Sequence, residues 1–414
     1  MPAIRTALII GGGIAGPVTA AALVKAGIES AVYEARPAPS GGIGSALALA
    51  PNGLSALRII GVDDEVRDIA LPITGTSMSV GRKNLGPLPV LPDLPPLQMV
   101  DRRDLHRVLD QHATHAGVPI RYGKRLVTVD EGADGITATF ADGTQATADV
   151  LIGADGVRSA VRTLIDPQAP AAGYTGLLGF GAVVETELRS AGGSWADGSV
   201  GPGTMTFAFG SRAYYLYWPL PDGRVAWGAN VPSSEYLSLS EASARPPEHW
   251  LSVLRELYAG DRPGEALAAA TTAENLEVLG GIHIMPPVPH WSRGRMVLVG
   301  DAVHAPSNST GQGASLAIES GIELARCLRD LPDHPAGFTA YEHLRRQRVE
   351  KIAARGARIN HAKAPGPIAR KMMQLLMPPM FAMLNPEKTL GPEQRHRIDW
   401  DATVQPGSVK AVRA

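Results

Sequence analysis

The chain has 414 residues, enough for a large buried core and on the order of two domains. Hydrophobic residues make up 44% and charged residues 19%, an ordinary globular balance, and a net charge of −1 offers no basic footprint for nucleic acid. The single cysteine, Cys327, excludes an internal disulfide framework and a cysteine metal site, and makes a reducing cytoplasm the expected location.

Thr6–Ile10 is a short apolar run ending at glycines, the pattern of a buried strand. Alanine-rich Gly16–Ala26 reads as a helix stopped by Gly27, and Ala31–Tyr33 as a second strand ended by Glu34. Together they form a βαβ opening with a right-handed crossover. Thr6 to Val24 carries no charge. Gly11, Gly12, Gly13, Gly16 and Pro17 nevertheless break it into strand, turn and helix, so neither a membrane span nor a secretion signal is expected.

Asn52–Ile60 and Asp101–Ala116 read as helices, the second opened by Asp101 and Asp104 at the positive end of its dipole. Between them, Gly86–Pro96 holds five prolines in eleven residues. That density excludes a helix or a central strand and predicts an extended crossing between domains. Residues 120–148 read as strands joined by the turns Asp134-Gly135 and Asp142-Gly143. From 174 to 284 the pattern is antiparallel β, with Tyr214–Trp218 and Arg224–Ala229 flanking a hairpin-like turn.

Met296–Val299 returns to a buried strand, and Ala314–Leu328 is a helix in which Cys327 takes a buried apolar place. Tyr341–Arg358, rich in Arg and Glu, reads as a solvated helix face. Ile368–Met383 carries five methionines. It is expected to pack onto the body because Pro378-Pro379 interrupts a long amphipathic helix; contact with a membrane surface is the lesser reading.

Three glycine-rich stretches carry the chemistry. In the first, Gly11 permits a tight turn, Gly13 lets backbone approach a pyrophosphate, and Gly16 allows close helix–strand packing. Gly11, Gly13, Ile14, Ala15 and Gly16 are therefore expected at a diphosphate, held by free N–H groups of the helix start. Glu34, eighteen residues beyond Gly16, is placed to accept from ribose hydroxyls and to repel a 2′-phosphate, with Ala35 and Arg36 beside it.

The second stretch is Asp149–Gly156. The third begins at Gly300-Asp301 and runs through Pro306 to Gly311-Gln312-Gly313-Ala314. A strand delivers Asp301 to the carboxyl edge where open α/β sheets bind ligands, and its carboxylate suits a ribityl polyol. The glycines open a helix whose positive end suits the negative charge of a reduced flavin. All three together point to FAD rather than to NAD alone.

The predicted fold is α/β. A discontinuous Rossmann-like FAD-binding domain spans 1–72, 97–172 and 284–334. An inserted antiparallel-β substrate domain spans 73–96 and 173–283, and a helical C-terminal segment spans 335–414.

These three motifs, in this order, resemble those of the group A flavoprotein aromatic monooxygenases, the family of para-hydroxybenzoate hydroxylase and the tetracycline-inactivating monooxygenases. The resemblance runs to about residue 330. It implies that Asp149, Gly153, Asp155, Gly156 and Ser159 serve both FAD and a visiting NADH or NADPH, and that Arg102 contacts FAD. It also implies that Gly300, Asp301, His304, Pro306, Gly311 and Gly313 form the third FAD motif. The phenol-hydroxylase branch carries arginines where this chain has Gly42 and Gly44. The implied reaction has NAD(P)H reduce FAD, after which O2 forms a C4a-hydroperoxide that oxygenates an aromatic or polycyclic small molecule. The protein orients the cofactor and excludes water.

By the same resemblance Tyr215 contacts substrate. Tyr217 shares its strand face and Trp227 stands on the facing strand, so all three are read either as cavity wall or as inner core. His283 and His304 are candidate bases by type alone, each first read as structural. An oxidase or reductase without oxygen transfer, a Baeyer–Villiger or epoxidising outcome, and a non-enzymatic flavin module remain open. No metal, nucleic acid or membrane partner is expected; oligomeric state is not determined.

Overall fold

The computed structural model describes residues 4–38, 46–186, 201–361 and 366–405. Gly42 and Gly44 lie outside the described residues. Its first layer is a six-stranded sheet in the order Ser292–Arg293, Met296–Leu298, Val150–Gly153, Thr6–Ile10, Glu29–Tyr33, Ile120–Arg121. Apart from the antiparallel Ser292–Arg293 edge, every pairing is parallel. A parallel strand is covered on both faces, which is why Thr6–Ile10 and Val150–Gly153 read as unbroken apolar runs.

The helix Ala15–Lys25 buries nine of its eleven residues. Its small side chains admit the long helix Gly313–Asp330: a Cβ on Gly321 would stand 2.4 Å from Thr19 Oγ1. Asp101 caps the helix Arg102–His115, its Oδ1 accepting from Arg103 N at 2.7 Å. Leu126–Glu131, Ile136–Phe140 and Gln145–Ala148 form a separate three-stranded meander.

The second layer is a seven-stranded sheet: Glu277–Ile284, Gly173–Val184, Val225–Pro232, Tyr214–Pro219, Thr204–Phe209, Gly75–Val80, Lys83–Pro87. It is not wholly antiparallel. Gly75–Val80 enters from the earlier part of the chain and pairs in parallel with Thr204–Phe209. The proline-rich stretch begins as the edge strand Lys83–Pro87, a place where a missing N–H costs nothing in the ladder. The helices Pro247–Tyr258 and Gly264–Ala270 cover one face of this sheet.

Two expectations for the C-terminal segment are corrected. His334–His361 is a single helix, and far from being merely solvated it buries Tyr341, Arg345, Val349 and Ile352. Pro378 and Pro379 do not interrupt the next helix, which runs unbroken over Pro367–Met383. Among the described residues, no helix is long and apolar enough to cross a membrane.

Candidate functional site

The first two glycine motifs meet at the edge of the parallel sheet. Gly11 N donates to Tyr33 O at 2.8 Å, and Ala154 N to Ile10 O at 2.8 Å. A Cβ on Gly11, which holds φ +107°, would stand 2.4 Å from Ala154 O; one on Gly16 would stand 2.0 Å from Gly11 O. At these two positions the chain itself demands glycine. Gly13 is different, because a Cβ there would meet nothing within 4 Å. The open space over Gly13 is what a bound diphosphate needs.

Glu34 faces this loop. Its Oε2 accepts from Gly12 N at 2.7 Å and its Oε1 from Arg36 N at 2.8 Å. The third motif closes on the same place: Gly300 has φ +60°, and a Cβ on it would lie 3.0 Å from Ala15 Cβ. Asp301 therefore stands beside the start of the first helix. Its carboxyl takes no hydrogen bond from the described residues. Burial raises its pKa above the usual carboxylate range, with Arg102 opposing.

All of this opens into one cavity of about 1540 Å³. An ordinary ligand pocket has roughly 300–1,000 Å³, so there is room for a dinucleotide and a second molecule. Of the expected cofactor residues, Gly11, Gly13, Ile14, Ala15, Glu34, Ala35, Arg36, Arg102, Asp155, Gly156, Asp301, Pro306, Gly311, Gly313 and Ala314 line it. Gly16 does not, because it is spent on packing against Gly11. The residues present thus fit FAD: glycines open to a diphosphate, an acid at the end of the second strand, and an uncommitted carboxyl at a helix start.

Asp155, besides lining the cavity, also holds a helix. Its carboxylate accepts from Ser159 Oγ at 2.5 Å, Ala160 N at 2.7 Å and Val161 N at 3.1 Å, so it pins the helix Ala160–Ile165. Asp149 is likewise structural, clamping Arg5 N at 2.8 Å and Thr6 N at 2.9 Å.

The far wall corrects the expectation for the tyrosines. Tyr215 and Tyr217 face the covering helices, stacked on each other at 6.2 Å between ring centroids; Tyr215 also meets Tyr258 edge-on at 5.1 Å. Their neighbours Tyr214, Leu216 and Trp218 line the cavity instead, with Met205, Phe207 and Gly228. Successive strand residues point to opposite faces, so a shift of one residue exchanges core for wall. Trp227 borders the cavity, but its indole N–H is turned to Thr271 Oγ1 at 3.2 Å on the core side.

Asn230, almost wholly buried, also lines the cavity; its Oδ1 accepts from Asn308 Nδ2 at 3.4 Å while its Nδ2 has no partner among the described residues. His283 lies in the wall, and burial together with Arg158 lowers its pKa. His304 lies outside it: Nε2 shares a hydrogen with Ser320 Oγ at 2.7 Å, and burial pushes its pKa down to about 3. It is a structural histidine.

Several wall residues escaped the sequence reading. His106 sits one turn after Arg102 and contacts Gly12 O through Nε2 at 2.5 Å. Its spacing from Arg102 was the available signal. Tyr122, Lys124 and Arg125 join Arg36 at the Glu34 end, and Leu88–Leu97 of the proline-rich stretch forms much of one side. These had no readable signal, since only the fold brings them there.

Residues 5–243 and 287–356 match the FAD-binding domain family. The chain is 30% identical to the aurachin C monooxygenase/isomerase of Stigmatella aurantiaca, over 86% of this chain and 88% of that protein. It is 32% identical to the 6-hydroxynicotinate 3-monooxygenase of Bordetella bronchiseptica, over 83% and 88%. Among solved structures it resembles a variant of Klebsiella pneumoniae HpxO complexed with FAD. That match has 25% identity, a TM-score of 0.78, and coverage of 94% of this chain and 97% of that one.

Proposed function

This chain belongs to the family of FAD-dependent group A aromatic monooxygenases, and from that premise we propose that it uses NADH or NADPH and O2 to hydroxylate an aromatic or polycyclic small molecule. One observation carries the reading. The Gly11–Gly16 loop, Arg102, Asp301 and the Gly311–Gly313 segment open into the same cavity as Phe207, Leu216 and Trp218 of the second sheet. A cofactor held by the first group faces a ring held by the second.

Bound FAD supplies the redox chemistry and the activation of O2, the part no protein side chain performs. The chain's own residues do the rest. The Gly11–Gly13 loop and the helix start behind it take the diphosphate, and Glu34 takes the ribose hydroxyls. Asp301 orients the polyol. The first N–H groups of the helix Gly313–Asp330 have no partner within the helix and face the cavity, so they favour negative charge beside them.

Met205, Phe207, Leu216 and Trp218 exclude water and flank an apolar ring. Asn230 Nδ2, which has no partner among the described residues, is placed to donate to an oxygen on that ring. His283, a wall imidazole whose pKa burial and Arg158 lower, is positioned as one acceptor for a phenolic proton. Tight binding of both dinucleotides would need a second loop of the Gly11 type. The sequence holds only one such loop, which agrees with a nicotinamide that visits and leaves.

The test is to load the purified protein with FAD, screen ring compounds for faster flavin reduction by NADH and by NADPH, and run the best under ¹⁸O2. One labelled oxygen atom in the product is the expected result. NAD(P)H oxidation that yields only hydrogen peroxide with every ring compound would favour an oxidase and overturn the reading.

A further inference from the structure

Among the described residues, the helix Pro367–Met383 touches the rest of the protein along one side. Met373, Met377 and Phe381 pack against a cluster of Val80, Leu85 and Phe209. Gln374 Nε2 donates to Val80 O at 2.8 Å. On the opposite side stand Ile368, Met372, Leu375, Leu376, Met380 and Met383, spaced three and four residues apart. Ile368 is 79% exposed, Leu375 73% and Met383 85%. Residues at that spacing share one helix face, so these six form a continuous apolar stripe along a helix about 25 Å long. Exposed apolar residues scattered singly are ordinary; a contiguous stripe of them marks an interaction surface.

Charge indicates what covers it. From Lys351 to Pro386 the chain carries no Asp or Glu, yet it carries Lys351, Arg358, Lys363, Arg370 and Lys371, besides Arg355, which pairs with Glu393 at 2.6 Å, in a protein of net charge −1. Arg370 and Lys371 lie in the helix itself. Arg82, in a turn, and Lys83, which opens the neighbouring edge strand, are exposed beside it, and Lys83 Nζ donates to Gln374 O at 2.9 Å. None of these four forms an ion pair among the described residues. A second copy of the chain seated on the stripe would double this unpaired positive charge. A bilayer rich in acidic lipids instead offers phosphates for the cations and hydrocarbon for the stripe.

We propose that Pro367–Met383 docks the protein peripherally on an anionic lipid surface, lying in the plane of the headgroups without crossing them. Leu384, the residue after the helix, lines the large cavity, so docking sets that cavity beside the hydrocarbon from which an apolar ring compound would partition.

The FAD-loaded full chain is sedimented with vesicles of phosphatidylcholine alone and of phosphatidylcholine with phosphatidylglycerol in equal parts. Binding to the acidic vesicles should exceed binding to the neutral ones at least about tenfold and fall with added salt. Leu375→Glu with Leu376→Glu should abolish it, and Arg370→Ala with Lys371→Ala should weaken it severalfold, while both variants keep the flavin absorbance of the parent. Failure of the parent chain to bind acidic vesicles overturns the proposal. So does equal binding by the Leu375→Glu, Leu376→Glu variant, or a dimer of the lipid-free parent that this variant breaks without any change in vesicle binding.

Discussion

Glu319 Oε2 lies 2.6 Å from Arg345 Nη1, and both side chains are sealed from solvent. The same carboxylate pairs with Arg348 at 2.9 Å and accepts from Asn52 Nδ2 at 2.7 Å; that amide also reaches Gln312 Oε1 at 3.0 Å. The start of the helix that lines the cofactor cavity is thus tied to a buried ionic cluster. Burial alone would raise the Glu319 pKa; Arg345 and Arg348 outweigh it and hold the carboxyl low. Removing one partner of such a pair strands the other charge. Glu319→Ala is expected to cost about 3–5 kcal/mol in chemical denaturation of the FAD-loaded protein. A loss under about 1 kcal/mol would show the cluster to be dispensable.

Gly13 and Gly16 separate ligand from fold. Gly13→Ala meets no protein atom within 4 Å, so the FAD-free protein should melt as the parent does while FAD binding weakens about tenfold or more. Gly16→Ala drives a Cβ to 2.0 Å from Gly11 O and should destabilise the FAD-free protein itself. Flavin fluorescence titration and calorimetry of both variants distinguish the two. Unchanged FAD affinity in Gly13→Ala would place the diphosphate elsewhere.

Adjacent residues of one strand should behave oppositely. Tyr217→Ala opens a hole in the core between sheet and helices and is expected to cost about 3–5 kcal/mol. Leu216→Trp fills the cavity instead. It should keep FAD and near-parent stability, yet suppress the stimulation of NAD(P)H oxidation by ring compounds about tenfold or more. Full stimulation in Leu216→Trp would remove this face from the substrate wall.

His304 sets an acid limit. Its folded pKa is about 3, below the ordinary value of 6.5. At any pH between those values the unfolded chain binds the extra proton and the folded chain does not. Its contribution is therefore full above about pH 6.5 and is lost as pH falls. From pH 6.5 to 5 the loss from this group is about 2 kcal/mol. Denaturation curves across that range should show it, and His304→Gln should flatten the slope. An identical slope in the variant would assign the acid sensitivity to other groups, His396 first among them, its pKa lowered by burial to about 4.

Local physics made much of this protein readable before folding. A strand buried on both faces must be apolar throughout, a turn at φ +107° must be glycine, and a helix start must find anion or cap, so Thr6–Ile10, Gly11 and Asp101 declared themselves. Those constraints act within a few residues, and three of them repeated down the chain were enough to name a flavin. What the tertiary structure alone decided is where side chains point once elements meet. The segment Tyr214-Tyr215-Leu216-Tyr217-Trp218 carries large residues on both faces, so alternation could not say which face the helices would cover. Arg345 looked like a solvated charge until Glu319, from a different helix, buried it. Each of these depends on a partner distant in sequence, and no local pattern encodes the distance between two parts of a chain before it folds.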